Sequence, residues 1–409
     1  MANSFQVVDW VTMEALRVLK NTLAVARCFN TDYNKDFRKP FAVGDTVRIK
    51  LPQRFTIRDG LGYNAQAINR IYTTVTCDQV FGVDFEMDSV EAALKAERGK
   101  DAIRADYIVP VMNQIAQEID SRATLFAYQH TPNIVGLLGT NPTAMSTYNE
   151  ARAELARNAC PPGDKTMIIS PGMQVSISSA VASVFNPTDV VSDVFRQGVL
   201  GKGAGFSKWF ESMSLYDHTA GTTTTPEVDG AGQSGASLLI SCVTGNTFNQ
   251  GDVFQIEAVY NVNPVTRRST GILKRFTVTQ ATVGAASAAT LSIYPAIVGP
   301  GSQYQNVDSL PANDADLTFF PDTSSPNGKH GIQGLALHRD AFALVAVPLE
   351  VPQAVEQSSQ ARDPETGIAI RYVKMFDPIQ SRMVNRFDVL MGFGVLYAEN
   401  CAVRVQSLT

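Results

Sequence analysis

Between Ser237 and Phe320 the chain holds only short β-rich pieces separated by turn residues, and helical periodicity is absent. The pieces are Leu238-Leu239-Ile240, Val253-Phe254-Gln255-Ile256, Phe276-Thr277-Val278 and Leu291-Ser292-Ile293. Gly221 to Gly235, a run of Gly, Thr and Ser with little else, leads into them as a loop or linker. Strands this short must bury one face against each other, which makes a small all-β domain. The sequence before and after it mixes helix and strand patterns. The chain is therefore expected to be α+β, a mixed body interrupted by an all-β insert.

The mixed body opens with an amphipathic helix. Trp10, Met13, Leu16, Leu19, Leu23 and Ala26 recur at three- and four-residue steps between Asp9 and Phe29, with Asp9 placed to cap it. From about Pro40 the period changes to two. Val47, Ile49 and Leu51 alternate with Thr46, Arg48 and Lys50, and a second β-rich run begins at Ile71. Around the Gly- and Asn-rich tip 59–64 these form an extended hairpin of two long strands. Arg48, Lys50, Arg54 and Arg58 place positive charge along it, and Asp84, Glu86 and Asp88 lie near its exit. A helical pattern then runs from about Val90, capped by Ser89, to Gln129, with Pro110 predicting a break or kink near Val109. Its apolar stripe is Val111, Ile115, Ile119, Ala123 and Phe126. Thr143 to Asn158 reads as helix, Thr166 to Ser170 as a buried strand, and Val389 to Val405 as a closing β-rich run.

A charged fraction of 18% is low against a typical ~25%, as for a surface covered partly by neighbouring subunits rather than by water. The net charge of −5 supplies no global positive field for nucleic acid. No run of about 20 apolar residues could span a membrane, and the N-terminus lacks the basic-then-apolar pattern of a secretory signal, so a cytosolic protein is expected.

Convergent chemistry is not legible. The five cysteines, Cys28, Cys77, Cys160, Cys242 and Cys401, are widely spaced with no Cys-x-x-Cys pair, and read as small buried hydrophobes. The four histidines lack the spacing of common metal motifs, and no metal or cofactor is expected. Gly198, Gly201, Gly203 and Gly205 resemble a phosphate loop but lack its Lys-Ser/Thr pair. No Gly-x-Ser-x-Gly elbow occurs. The reading is a non-enzymatic protein.

Three segments resemble stretches of one family. They are Gly198-Val199-Leu200-Gly201-Lys202-Gly203-Ala204-Gly205-Phe206 followed by His218-Thr219-Ala220-Gly221; Leu335 to Leu349; and Ile370-Arg371-Tyr372 with Asp377 and Arg386 to Glu399. In this order, flanking a β insert, they resemble the tailed-phage major capsid (coat) proteins of the podovirus branch that carries an inserted immunoglobulin-like domain. The likeness covers the last half of the chain well and the first half in layout more than in residues.

The resemblance implies the tailed-phage major-capsid fold. Residues 1–36 would be an N-terminal arm, 37–88 the E-loop hairpin, and 89–130 a peripheral domain with a spine helix. An axial domain would hold 131–216 and 332–380, the insert 217–331, and the peripheral closing strands 381–409. It also implies self-association into the pentamers and hexamers of an icosahedral shell, with scaffolding and portal proteins as partners. That shell would be assembled in the host cytoplasm, as part of the virion, around double-stranded DNA that is not read by sequence. The family's charged early-insert loop has no counterpart here, where only Glu227 and Asp229 are charged. Arg48, Lys50, Arg54 and Arg58, with Trp10 and Leu16, are the residues expected to contact an adjacent subunit. The alternative is another structural or receptor-binding component of the same virion.

Overall fold

The computed structural model describes all residues except 1–2, 34–45, 52, 56, 58–59, 63–64, 67–71, 89–103, 183–202, 321–327, 352–356, 365, 380–381 and 409. The chain divides into two compact units: Met1–Ile49 with Tyr72–Ala123 and Phe342–Val395, and Lys50–Ile71 with Thr124–Ala341 and Leu396–Thr409.

The first unit is organised by the strand Arg382–Val395. Its residues 382–391 pair antiparallel with Gln79–Asp88 on one edge, while its other edge takes Ala369–Asp377 and then Phe342–Val347. Gln357–Arg362 extends the sheet beyond Ala369–Asp377. Phe342, Leu344, Phe387, Val389 and Met391 are buried, the expected fate of a β-branched and aromatic run in a central strand.

The N-terminal helix Asn3–Thr22 packs on the strands Gln357–Arg362 and Ala369–Asp377. It starts before Asp9, which therefore lies inside the helix and cannot cap it. The helix also ends earlier than the sequence pattern, and a 3-10 turn occupies Ala26–Cys28. Its buried stripe is Thr12, Ala15, Leu16, Leu19 and Leu23, whereas Met13 is 69% exposed on another face. The turn after it is held by Asp120, whose buried carboxylate accepts from the amides of Ala24 (2.8 Å), Val25 (3.1 Å) and Ala26 (2.9 Å). Burial raises the Asp120 pKa, and these three backbone donors oppose the rise by favouring the anion.

Asp120 belongs to the long helix Val109–Gln129. A π-helical turn, Arg104–Ile108, precedes it, so the change of helix type falls at Val109 and Pro110 sits in the first α-turn, where a missing amide costs little. The first half of the predicted helix and its Ser89 cap lie outside the described residues. Met112, Ile115, Ala116, Ile119 and Ala123 form the buried face.

The hairpin is present as Thr46–Lys50 paired with Tyr72–Thr76. Among the described residues each strand is five residues long, and after Cys77-Asp78 the continuation, Gln79–Asp88, joins the five-stranded sheet.

The second unit has a six-stranded mixed sheet. Its main order is Ile134–Val135, Ala402–Gln406, His330–His338, Lys165–Ile169, Lys208–Glu211, with Asp217–Thr219 on the start of His330–His338. The helix Met145–Arg157 covers one face, burying Tyr148, Ala151 and Leu155 against Met167, Ile169, Val403 and Val405. Strand pairing thus groups the C-terminal half differently from the sequence boundaries. Residues 342–395 fall in the first unit, and the helical turn Ala398–Cys401 and the last strand fall in the second.

Residues 227–319 of this unit form one antiparallel sheet of six strands, in the order Leu317–Phe319, Val253–Val262, Ser269–Val278, Ala288–Ile297, Gly235–Ser241, Glu227–Val228. Its two ends meet: Val228 N donates to Ala315 O (3.0 Å), Leu317 N to Pro226 O (2.9 Å), and Glu227 bridges Asp316. The sheet closes on itself around Leu238, Ile240, Phe248, Phe254, Phe276, Leu291 and Phe319. This is a barrel, and it corrects the expectation of an immunoglobulin-like sandwich of two packed sheets. Closure removes the exposed edges that so short a set of strands would otherwise present.

Candidate functional site

The expected contact residues take different positions. On Thr46–Lys50 the period-two pattern resolves as predicted, with Ile49 buried and Arg48 and Lys50 exposed on the opposite face. Among the described residues no ion pair joins either cation to an acidic side chain. Arg54 is partly buried. Its carbonyl accepts from Gln303 Nε2 (2.5 Å), and its guanidinium lies over the Tyr304 ring at 5.8 Å from the centroid. Arg58 lies outside the described residues. Trp10 is half-buried on the N-terminal helix, but Leu16 is 8% exposed against its own unit and offers almost no surface to a second chain.

Two of the acidic residues at the hairpin's exit, Asp84 and Glu86, are already engaged. Asp84 pairs with Arg386 (3.2 Å) and Glu86 with Arg382 (2.7 Å) across adjacent strands, and Arg386 also meets Asp388 (3.0 Å). Exposed pairs of this kind contribute about 0–1 kcal/mol each. They favour the register that Gln79–Asp88 already takes on Arg382–Met391.

A buried polar cluster, which the sequence pattern did not reveal, ties the barrel to the mixed sheet. Arg404 sits mid-strand in Ala402–Gln406. Strand alternation sends Val403 and Val405 to the helix-covered core and Arg404 to the opposite face. It is 1% exposed. Its Nη1 donates to Gly251 O (2.9 Å), its Nη2 reaches Thr277 Oγ1 (3.4 Å), and its guanidinium lies 4.8 Å from the Tyr128 ring centroid. Burial pulls the Arg404 pKa down to about 10, against the raising influence of Tyr128 and Asp252, so the group keeps its charge at neutral pH.

Asp252 accepts from Asn249 N (2.6 Å), Gly221 N (3.2 Å) and His218 Nε2 (3.0 Å). His218 Nδ1 meets the Tyr128 hydroxyl, which also donates to Gln250 O at 2.9 Å. Burial, followed by the Asp252 and Tyr216 charges, raises the Tyr128 pKa well above its ordinary value, while Arg404 opposes this. Gly251, at φ +89°, is required here, since a Cβ would stand about 2 Å from the Tyr128 ring. Aligned carboxylate, imidazole and hydroxyl could suggest proton relay chemistry. All three residues are buried, however, and the hydroxyl is committed to Gln250, so the arrangement is a joint.

The joint continues through the strand Ser269–Val278. Thr277 Oγ1 donates to Thr131 O (3.2 Å), Arg275 Nη1 to Ile134 O (2.7 Å), and Lys274 Nζ pairs with Glu399. Close by, His130 is half-buried, packed edge-on against Tyr294 and bonded through Nδ1 to Phe126 O at 2.9 Å. Burial lowers its pKa below the ordinary 6.5. The unfolded chain therefore takes up a proton before the folded one does. Stability is expected to fall as pH drops below 6.5, and thermal melts should show a shallower acid slope in His130→Phe.

Two residues set aside as core thiols, Cys160 and Cys401, converge with His338. No motif spacing announces this, because the three lie on separate segments.

A family model described as P22 coat protein, gene protein 5, matches residues 1–405. The chain belongs to the P22 coat protein family. It is accordingly a tailed-phage major capsid protein, and the family's role is structural. A comparison with curated protein sequences gives no match. Among solved structures the coat protein is similar to a chain of Mycobacterium phage Che8, at 14% identity and a TM-score of 0.46, covering 94% of this chain and 90% of that one. It is likewise similar to the capsid of Ralstonia phage GP4, at 7% identity and a TM-score of 0.48, covering 94% and 88%. A coat-protein I-domain of CUS-3 aligns at 24% identity and a TM-score of 0.18 over 25% of this chain and 96% of its own. Among the described residues of the coat protein, no helix is long and apolar enough to cross a membrane.

Proposed function

We propose that this coat protein assembles in the host cytoplasm into pentamers and hexamers of one icosahedral shell around the phage's double-stranded DNA, with scaffolding and portal proteins as partners. The observation that carries the reading is the match to one coat-protein family along almost the whole chain. Head-to-tail contacts generate rings when the rotation closes, and rings of two sizes from one sequence need deformable joints. The short hairpin Thr46–Lys50 and Tyr72–Thr76 forms its own two-stranded sheet, which makes it the natural joint. Arg48 and Lys50 are its free-standing charges, and they meet acidic groups of a neighbour. Arg54 contributes less, because Tyr304 and Gln303 of its own chain engage it. The parts named arm, E-loop, spine, axial domain and insert describe a division of labour in which the barrel is an autonomous module on the axial sheet.

Size-exclusion chromatography and negative-stain microscopy of the expressed chain, alone and with its scaffolding protein, test this. Closed shells or ring-shaped capsomers are expected. A chain that stays solitary at high concentration with the other virion proteins present overturns it.

A further inference from the structure

The cluster Cys160, His338 and Cys401 lies outside every contact used above. Each residue offers one ligand atom, and the three atoms all lie within 4.8 Å of one another. Sheet register brings them together. Leu337 pairs with Ala402, which puts Cys401 beside His338, and His338 itself pairs with Lys165, the first residue of the strand that Cys160 leads into. His338 and Cys401 are buried, and Cys160 is partly so.

Zinc holds thiolates at about 2.3 Å and imidazole at about 2.0 Å in tetrahedral sites, which spaces ligand atoms roughly 3.5–4 Å apart. A modest contraction of the observed triangle would meet that spacing. The surroundings suit a cation as well. A Cβ at residue 163 would lie 2.8 Å from His338 Nε2, so glycine at that position leaves this nitrogen uncovered. On the other side of the ring, His338 Nδ1 is 3.6 Å from Asp340 Oδ2. The Asp340 amide also donates to Nδ1 (3.3 Å), and turning the nearby carboxylate to accept from Nδ1 instead would free Nε2 for an ion, the arrangement that fixes the tautomer of a metal-binding histidine. Cys401 and Asp340 both line a cavity of about 510 Å³ with Ala159, Pro161 and Asn400, which supplies an entry path and room for a fourth ligand. Two thiolates neutralise a divalent charge, so the desolvation cost of burying the ion is small.

We infer that Cys160, Cys401 and His338 Nε2 form a binding site for a thiophilic divalent ion of the zinc class, with water as the fourth ligand. Binding expels the two thiol protons and clamps the starts of two strands to the end of a third. Soft thiolate and imidazole donors select such an ion over magnesium or calcium.

The full chain, reduced with a non-chelating phosphine and freed of metal, is titrated with Co²⁺ as the probe. One equivalent per chain is expected, with the visible bands of tetrahedral cobalt and a thiolate charge-transfer band, both erased by one equivalent of Zn²⁺. Cys160→Ser should abolish the charge-transfer signal, whereas Cys242→Ser, inside the barrel core, should leave it intact. Should Cys160→Ser fail to fold by circular dichroism, His338→Asn serves in its place, with the same loss expected. No saturable cobalt spectrum in the reduced native chain, or an unchanged spectrum in the folded variant, overturns the assignment. Recovery of Cys160 and Cys401 as a disulfide, with no cobalt uptake after reduction, overturns it too.

Discussion

Replacing Arg404 with leucine is expected to cost about 3–5 kcal/mol of stability, the scale seen when one partner of a buried charge pair is removed. Against a typical total of about 5–15 kcal/mol, that loss leaves much of the chain unfolded or aggregated when expressed at 37 °C. The reason lies in what is stranded. Asp252, 1% exposed, would lose its interaction with the Arg404 charge and keep only its contact to His218 Nε2 and its backbone donors, and the Gly251 carbonyl would lose its charged donor. Leucine fills most of the volume, so lost packing is a minor part of the effect. The double variant Arg404→Leu with Asp252→Asn should regain a measurable part of the loss, because it removes the carboxylate that the Arg404 charge had offset. Denaturant unfolding of the soluble fractions gives the comparison. A single variant that melts within a degree or two of the native chain would show that the barrel is held by its apolar contacts alone.

The second large effect concerns assembly and leaves folding alone. Arg48→Glu combined with Lys50→Glu should abolish shells while the chain stays folded and soluble. Both side chains are exposed on a strand whose buried face is carried by Ile49, so reversal disturbs no core. One rim pair contributes only about 0–1 kcal/mol. Each subunit of a closed shell repeats the contact, and reversal turns each attraction into a repulsion, so small increments multiply around every ring. Sedimentation and microscopy should show capsomers or free chains where the native protein gives shells, with an unchanged circular dichroism spectrum. High salt should partly restore assembly through screening. Normal shells from the double variant would remove these residues from the interface.

The Leu16 and Met13 positions show how far periodicity reaches. A three-and-four spacing establishes that residues 9–26 contain a helix with an apolar side, and the structure has one. Which of two overlapping stripes faces inward is settled by the strands Gln357–Arg362 and Ala369–Asp377, more than 300 residues away in sequence. Leu16 faces them and Met13 does not. The same holds for the β-rich segment. Its strands were legible from β-branched and aromatic runs between turns. Their closure into a barrel rests on hydrogen bonds near Pro226 and Ala315, which local pattern does not encode.

Local spacing and residue type by themselves determined the α+β class, the β-rich interruption, the long helix, the strand at Lys165–Ile169 and the outward face of Arg48 and Lys50. These follow from near-neighbour geometry, where one period or one alternation is enough. Tertiary structure alone decided the Arg404–Asp252–His218–Tyr128 joint, the meeting of Cys160 with His338 and Cys401, and the assignment of the last strand to the second unit. Each depends on the register between strands hundreds of residues apart. Register is fixed by the summed burial of whole sheets, to which no single position bears witness.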